Sequence, residues 1–316
     1  MTAIQTHNLT KNYDTPDGPF TALDSLDLTV ETGEIMGYLG PNGAGKTTTI
    51  RMLLDIIRPT NGEAKILGMD AQQEPIAVKR RVGFLPAELA LWRGEKSIDI
   101  IKYFGRIRGN IDMAYVNQLA QRLQFDVEKR VRDYSTGNKR KLGLILAMMN
   151  KPDLLILDEP TSGLDPLMQQ TFNAMMREFR DEGKTVFLSS HTLSEVQAIC
   201  DRVAVLRQGV LEAVERVDSL MHAQFRWVTV SLDDPQGIDD ALRHTEGVTD
   251  ISQRQDGTYR LRLTGDFDPL LRTINDRYVK DIQVDDPTLE EVFLAFYDDQ
   301  AVASGNGKGQ QKEMVR

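Results

Sequence analysis

The chain has 316 residues, 41% of them hydrophobic and 27% charged, with a formal net charge of −9. Such a mixture fills a core and wets a surface, and the length suits one sizeable domain with a smaller second one. The acidic balance lacks the field that draws nucleic acid, which argues against a nucleic-acid partner, and one cysteine, Cys200, excludes an internal disulfide and suits a reducing compartment.

Residues 1–13 are polar and alternating, without the basic start and apolar core of a secretory signal, so the protein is expected to stay where it is made. Residues 4–13 and 21–30 alternate like half-buried strands, an antiparallel opening joined by a turn-rich stretch at 14–19. The runs at 35–39, 154–157, 186–188 and 203–206 are short and apolar and are separated by helical segments, the pattern of a mostly parallel sheet. Between 97 and 132 the apolar positions Ile100, Ile101, Phe104 and Ile107, then Val116, Leu119 and Leu123, recur at helical spacing and read as a helical insertion. No apolar run approaches the roughly 20 residues of a membrane span. The best, 142–149, is flanked by Lys139, Arg140, Lys141 and Lys151. After about Val217 the texture becomes strand 226–232, helix 236–244, strand 248–254, an Asp256-Gly257 turn, strand 259–263, helix 268–276 and strand 281–284. That order is βαββαβ, a ferredoxin-like arrangement. An amphipathic helix at 288–297 and a flexible tail at 301–316 are expected to follow.

The chemistry concentrates at two places. Gly40-Pro41-Asn42-Gly43-Ala44-Gly45-Lys46-Thr47 follows a buried strand, and Thr48 opens the helical run 48–57 beyond it, the setting that a phosphate loop requires. The glycines let backbone N–H groups turn inward around phosphates, and the helix start adds partial positive charge. Lys46 is placed to reach the β- and γ-phosphates of ATP, and Thr47 to offer its hydroxyl to Mg²⁺. The second place is the apolar strand 154–157 ending in Asp158 and Glu159. An acid at the end of a parallel strand emerges beside the phosphate crevice, where Asp158 would hold Mg²⁺ through its water shell and Glu159 would act as general base. Two solvated or capping acids are the plainer reading, but they would not need four apolar residues before them in a chain that also carries a phosphate loop.

With both halves in place, the chain resembles an ATP-binding-cassette (ABC) ATPase over residues 1–216, leaving 217–300 as an accessory α+β domain and 301–316 as the tail. Tyr134-Ser135-Thr136-Gly137-Asn138-Lys139 resembles the family signature, with Thr136 in place of a glycine and Asn138 in place of a glutamine; read alone it is a helix cap. The resemblance implies an α/β P-loop fold, a mixed sheet with an antiparallel β subdomain and a helical insertion. It also implies a head-to-tail dimer with a second copy or homologue, in which Ser135 and Gly137 face the γ-phosphate held by the other subunit. Ser162-Gly163-Leu164-Asp165 resembles the segment that communicates across that dimer, His191 the switch histidine, and Tyr13 the aromatic that stacks on adenine, although a strand aromatic packing on its sheet accounts for Tyr13 nearly as well. Ala87 stands where the family usually places glutamine.

Lys139-Arg140-Lys141 after the signature, together with Pro287-Thr288-Leu289-Glu290-Glu291-Val292-Phe293 near the end, resembles the ABC-2 drug and antibiotic exporter group. That likeness implies a separate integral membrane permease and a place at the cytoplasmic face of the cell membrane. The permease contact is expected within 84–108, with Leu89, Leu91 and Trp92 as its candidates. A soluble ABC protein acting on ribosomes or nucleic acid is the alternative, but such proteins carry paired cassettes or an inserted coiled coil, and neither is present. An ATP clamp without turnover is a third reading, opposed by the joint presence of Asp158, Glu159 and His191.

Overall fold

Strand β1 (Thr2–Thr15) pairs antiparallel with β2 (Gly18–Leu26), bringing Tyr13 opposite Phe20. Residues 21–30, expected as one strand, are two, because past Leu26 the chain leaves β2 and returns as β3 (Thr29–Glu31) beside the start of β1. Thr6 holds the break: its hydroxyl donates to the Leu26 carbonyl at 2.8 Å and accepts from the Leu28 amide at 2.9 Å, standing in for a ladder bond. This is a computed structural model, and it describes residues 1–16, 18–109, 111–221, 225–233, 237–254, 257–287 and 291.

Strand β4 (Ile35–Leu39) is buried at every position and feeds the glycine-rich turn that opens α1 (Lys46–Leu53). The helix expected to reach residue 57 stops at 53, and Asp55 takes a left-handed φ of 49°, through which a right-handed helix cannot continue. Next come β5 (Asn61–Ile66), β6 (Met69–Asp70), α2 (Pro75–Arg81) and β7 (Val82–Leu85). The helical insertion is α3 (Ser97–Arg108) and α4 (Met113–Arg122), which bury Ile100, Ile101, Val116 and Leu119. The chain continues through α5 (Thr136–Met148), β8 (Leu154–Asp158), α6 (Pro166–Asp181), β9 (Thr185–Ser190), α7 (Leu193–Ile199), β10 (Arg202–Arg207) and β11 (Val210–Arg216).

These strands form two sheets. One is antiparallel, in the order β2-β1-β5-β6 with β3 on β1; the other is six-stranded, β11-β10-β4-β9-β8-β7, parallel except at β10–β11. The four apolar runs read from the sequence are the four central strands of the second sheet. In a parallel sheet the strands end on the same edge, so the segments after β4, β8 and β9 converge there.

The chain divides into two compact units, 1–217 and 218–316. After α8 (Val217–Met221), the second contains β12 (Phe225–Leu232), α9 (Asp239–Arg243), β13 (Val248–Gln253), β14 (Thr258–Thr264), α10 (Asp268–Ile274) and β15 (Val279–Asp285). Its four strands form an antiparallel sheet in the order β13-β14-β12-β15. Val228, Val230, Tyr259, Leu261, Leu270 and Ile274 fill its core. The expected helix at 288–297, Asp256 of the expected turn and the tail at 301–316 lie outside the described residues, apart from Glu291.

Candidate active site

Residues 40–45 link β4 to α1, whose first two residues are Lys46 and Thr47. Two glycines there are required by the surrounding backbone. A Cβ on Gly40 would stand 2.3 Å from the Leu206 carbonyl, and one on Gly45, which has φ +108°, would stand 2.5 Å from the Ala22 carbonyl. Strands β2 and β10 therefore border this turn. Lys46, 6% exposed, folds back to donate to the carbonyls of Gly40 at 2.5 Å and Pro41 at 3.2 Å.

Strand β8 carries Asp158 to the same edge, where it is 1% exposed. Its two oxygens accept from the Thr47 hydroxyl at 2.9 Å and the Ser189 hydroxyl at 2.5 Å. Ser189 also accepts from the Glu159 amide at 3.1 Å, so one β9 side chain fixes both acids. Glu159 adopts a left-handed φ of 51°, strained for a residue with a side chain and typical of a functional position. This turn places its carboxylate between the Lys46 ammonium, 3.5 Å from Oε1, and the His191 Nδ1, 2.8 Å from Oε2. Lys46, Thr47, Asp158, Glu159 and His191, chosen from separate stretches of sequence, are thus one constellation.

Sequence reasoning missed the group that joins the last two. Glu195 in α7 accepts from the Thr161 hydroxyl and the Ser190 hydroxyl, each at 2.6 Å, tying the segment after Glu159 to the residue before His191. The run of serines closing β9 was its signal, since hydroxyls buried beside an acid pair need acceptors.

The signature turn lies elsewhere on the same unit. Ser135 is exposed and caps α5, accepting from the Asn138 amide at 3.3 Å, and Tyr134 anchors the turn from below by donating to the Asp126 carbonyl at 2.5 Å. Gly137 abuts Gly163, whose carbonyl would lie 2.6 Å from an added Cβ. Tyr13 is half-buried beneath the Lys11 ammonium, 5.1 Å from the ring centre. Ala87 brings no side-chain donor or acceptor. Cys200 ends α7 in the core, where burial pushes its thiol well above the ordinary value, so it is inert.

The donor set also fits a metal of one kind. A carboxylate and a hydroxyl offer only hard oxygens, as Mg²⁺ prefers, and no cluster of three or more His, Cys, Asp or Glu is found among the described residues. Mg²⁺ is usually held by one or two carboxylates together with phosphate oxygens and water. No helix among the described residues is long and apolar enough to cross a membrane.

Comparison with known proteins gives a consistent picture. The ABC transporter family pattern matches residues 23–162. The bacitracin transport ATP-binding protein BcrA of Enterococcus faecalis is 31% identical over 280 residues, covering 88% of each chain. The Nod factor export ATP-binding protein I of Cupriavidus metallidurans is 36% identical over 215 residues, 66% of this chain and 70% of that one. Among solved structures, the ATP-binding subunit of an ABC transporter superposes with a TM-score of 0.62 at 25% identity, over 69% of this chain and 91% of that one. A dimeric bacterial ABC transporter cassette superposes with a TM-score of 0.63 over 68% of this chain and 98% of that one; at 21% identity it speaks for the fold alone.

Proposed function

Since the chain belongs to the ABC transporter family of ATP-binding proteins, an ATPase with the P-loop cassette fold, we propose that it powers an exporter of the ABC-2 type through a separate integral membrane permease. A relative named for bacitracin transport supports a transport role, and one named for Nod factor export supports its direction. The observation that carries the mechanism is the Glu159 carboxylate held between Lys46 and His191, beside the Asp158–Thr47 pair.

In this reading the backbone of 40–47, with Thr48 and the start of α1, cradles the phosphates of ATP. Lys46 exchanges the loop carbonyls for phosphate oxygens. Thr47 and Asp158 would hold Mg²⁺, which screens phosphate charge when bound. Glu159 takes a proton from the water that attacks the γ-phosphorus; the new P–O bond replaces the bond to the ADP oxygen, and ADP and phosphate leave. The His191 contact keeps the carboxylate aimed. Tyr13 is assigned to the adenine. Ser135 and Gly137, exposed or half-exposed at the start of α5, are assigned to the γ-phosphate of a second copy or homologue packed head to tail.

The permease is assigned to a groove of about 530 Å³ beside α3, lined by Trp92, Tyr103 and Arg106 among others. Trp92 is 49% exposed there and meets Tyr103 edge-on at 4.8 Å. Leu89 is withdrawn from this assignment, because its side chain turns toward Gly143 of α5. This docking would place the protein at the cytoplasmic face of the membrane. Residues 217–300 are read as a ferredoxin-like accessory domain that steadies or regulates the dimer, a reading supported by its βαββαβ order and strand order.

The test is phosphate release by the purified full-length chain with Mg²⁺. Lys46→Ala should abolish phosphate release, because the phosphate charge loses its compensating cation. Glu159→Gln should bind ATP and dimerise while losing about 10²- to 10⁴-fold in rate, because the amide keeps shape and loses basicity. Hydrolysis at the parent rate in Glu159→Gln would remove Glu159 from the role of base.

A further inference from the structure

The basic run after the signature contains one residue that does not face water. Arg140, in the second turn of α5, is 5% exposed. Its guanidinium forks onto two successive main-chain carbonyls, Pro86 at 2.7 Å and Ala87 at 2.8 Å. Burial lowers its pKa, and the negative charges of Asp158 and Glu159 oppose that shift. A buried cation bonded to neutral carbonyls carries a desolvation cost that methionine at the same position would avoid. Stability alone does not account for it.

A second contact lies on the same helix face three residues on. A Cβ on Gly143 would stand 2.5 Å from Cδ1 of Leu85 and 2.5 Å from Cδ1 of Leu89. The missing side chain lets segment 85–89 lie directly on α5, with a polar fork above and close packing below. That segment continues β7, which pairs in parallel with the strand bearing Asp158, and it runs on to the exposed Trp92. At the other end of this contact, α5 begins at the signature turn.

We propose that Arg140 is a positioning residue that locks segment 85–89 to α5, so that this segment and the Ser135–Gly137 turn move as one body through the ATP cycle. The grip is on the main chain, so it does not depend on a side chain at position 87. This accounts for an alanine being sufficient there. The proposal rests on the ATPase reading above.

The test uses the purified full-length chain. Arg140→Met keeps length and apolar bulk and removes the fork. Its ATP Kd should stay within about twofold of the parent while kcat falls about tenfold or more, and amides 87–91 should exchange hydrogen faster while those of β8 do not. Arg140→Lys, which keeps the charge without the fork, should recover part of the rate. Gly143→Ala displaces Leu85 and Leu89 without touching the charge and should lower kcat with Kd retained; it decides the matter if Arg140→Met does not fold. Parent kcat with unchanged exchange at 87–91 would overturn the proposal. So would a proportional fall of Kd affinity, kcat and Tm in Arg140→Met together with parent kcat in Gly143→Ala, since that pattern marks a purely structural arginine. A parent chain that released no phosphate would refute the ATPase reading instead.

Discussion

The two units of this chain both hold a sheet against helices, yet they treat polar groups in opposite ways. In the first unit Lys46, Arg140, Asp158, Thr161, Ser189 and Ser190 are all buried, and they gather where parallel strands end. In the second, no charged side chain among the described residues is fully buried, and the buried Thr245 bonds the Ala241 carbonyl and the Thr273 hydroxyl. The difference follows from sheet type. Parallel strands bring several loops to a single edge, where side chains from β4, β8 and β9 meet and can satisfy one another after burial. An antiparallel sheet sends its turns to both edges, and here the core is filled by aliphatic side chains and Tyr259, while a charged neighbour such as Arg262 keeps part of its side chain, 17%, in water. Buried charge, carried by Lys46, Arg140 and Asp158, is therefore the mark of the working region, and sheet topology decides where such a region can form.

Damage to the core of the second unit should have the largest effect while sparing the first. Leu261 is 0% exposed at the centre of β14, among Val228, Val230 and Tyr259. Leu261→Ala should destabilise that unit by about 2–5 kcal/mol through lost burial and a residual cavity. Chemical denaturation followed by Trp227 fluorescence reads this loss, and ATP Kd measured by titration should stay at the parent value. A parallel loss of ATP affinity from a folded first unit would mean that the two units share more than a chain.

The same contrast explains how far the sequence could be read. The phosphate loop and the β8 acids were readable because each is a local pattern with a single setting, an apolar strand leading into a special turn. The four central strands were readable because strands buried on both faces are continuously apolar. The strand β11, with exposed or half-exposed positions throughout, gave no such run, and the split of 21–30 into two strands depended on Thr6, some twenty residues away. Glu195 and Arg140 were hidden for a related reason. Both occupy ordinary helical positions, and their importance comes from partners 34, 54 and 53 residues away in sequence, Thr161, Pro86 and Ala87.

A single strand, with the residue before it, carries both kinds of acid. Asp153 precedes β8 and Asp158 ends it, so two acids five residues apart sit at opposite edges of the sheet. Asp153 is 38% exposed and accepts from Lys184 at 2.7 Å and Arg81 at 2.8 Å, joining β7, β8 and β9 at their starts. The Lys184 hydrogen bond, with that from Arg81, holds its carboxyl below the ordinary carboxylate value. A depressed folded pKa stabilises above the unfolded value of about 3.9 and loses that contribution as pH falls through the folded value. Asp153→Asn should therefore cost about 1 kcal/mol at neutral pH, discounted for its exposure. The gap to the parent in urea denaturation should close under acid, while kcat and ATP Kd remain at parent values. A large loss of kcat would place function at both edges of the sheet.

The smallest effect belongs to the second unit's surface. Asp268 and Arg272 form an i,i+4 pair on α10 at 2.8 Å, with side chains 66% and 79% exposed. The pair has the favourable order, acid in the first turn and base in the last, so both charges also complement the helix dipole. Water nevertheless screens nearly all of this attraction, and two long exposed side chains lose rotamer freedom to keep the contact. Arg272→Ala should cost about 0.3–0.5 kcal/mol at low salt. Repeating the denaturation at about 1 M salt, where the Debye length is about 3 Å, should erase most of that difference. This outcome separates the pair from Asp153, whose two partners leave less of it to solvent, and more sharply from Asp158, which water hardly reaches. A loss above about 1 kcal/mol that survived high salt would show that Arg272 is stabilised by packing of its stem as well as by charge. The surface of the second unit would then hold it together in a way that its apolar core alone does not.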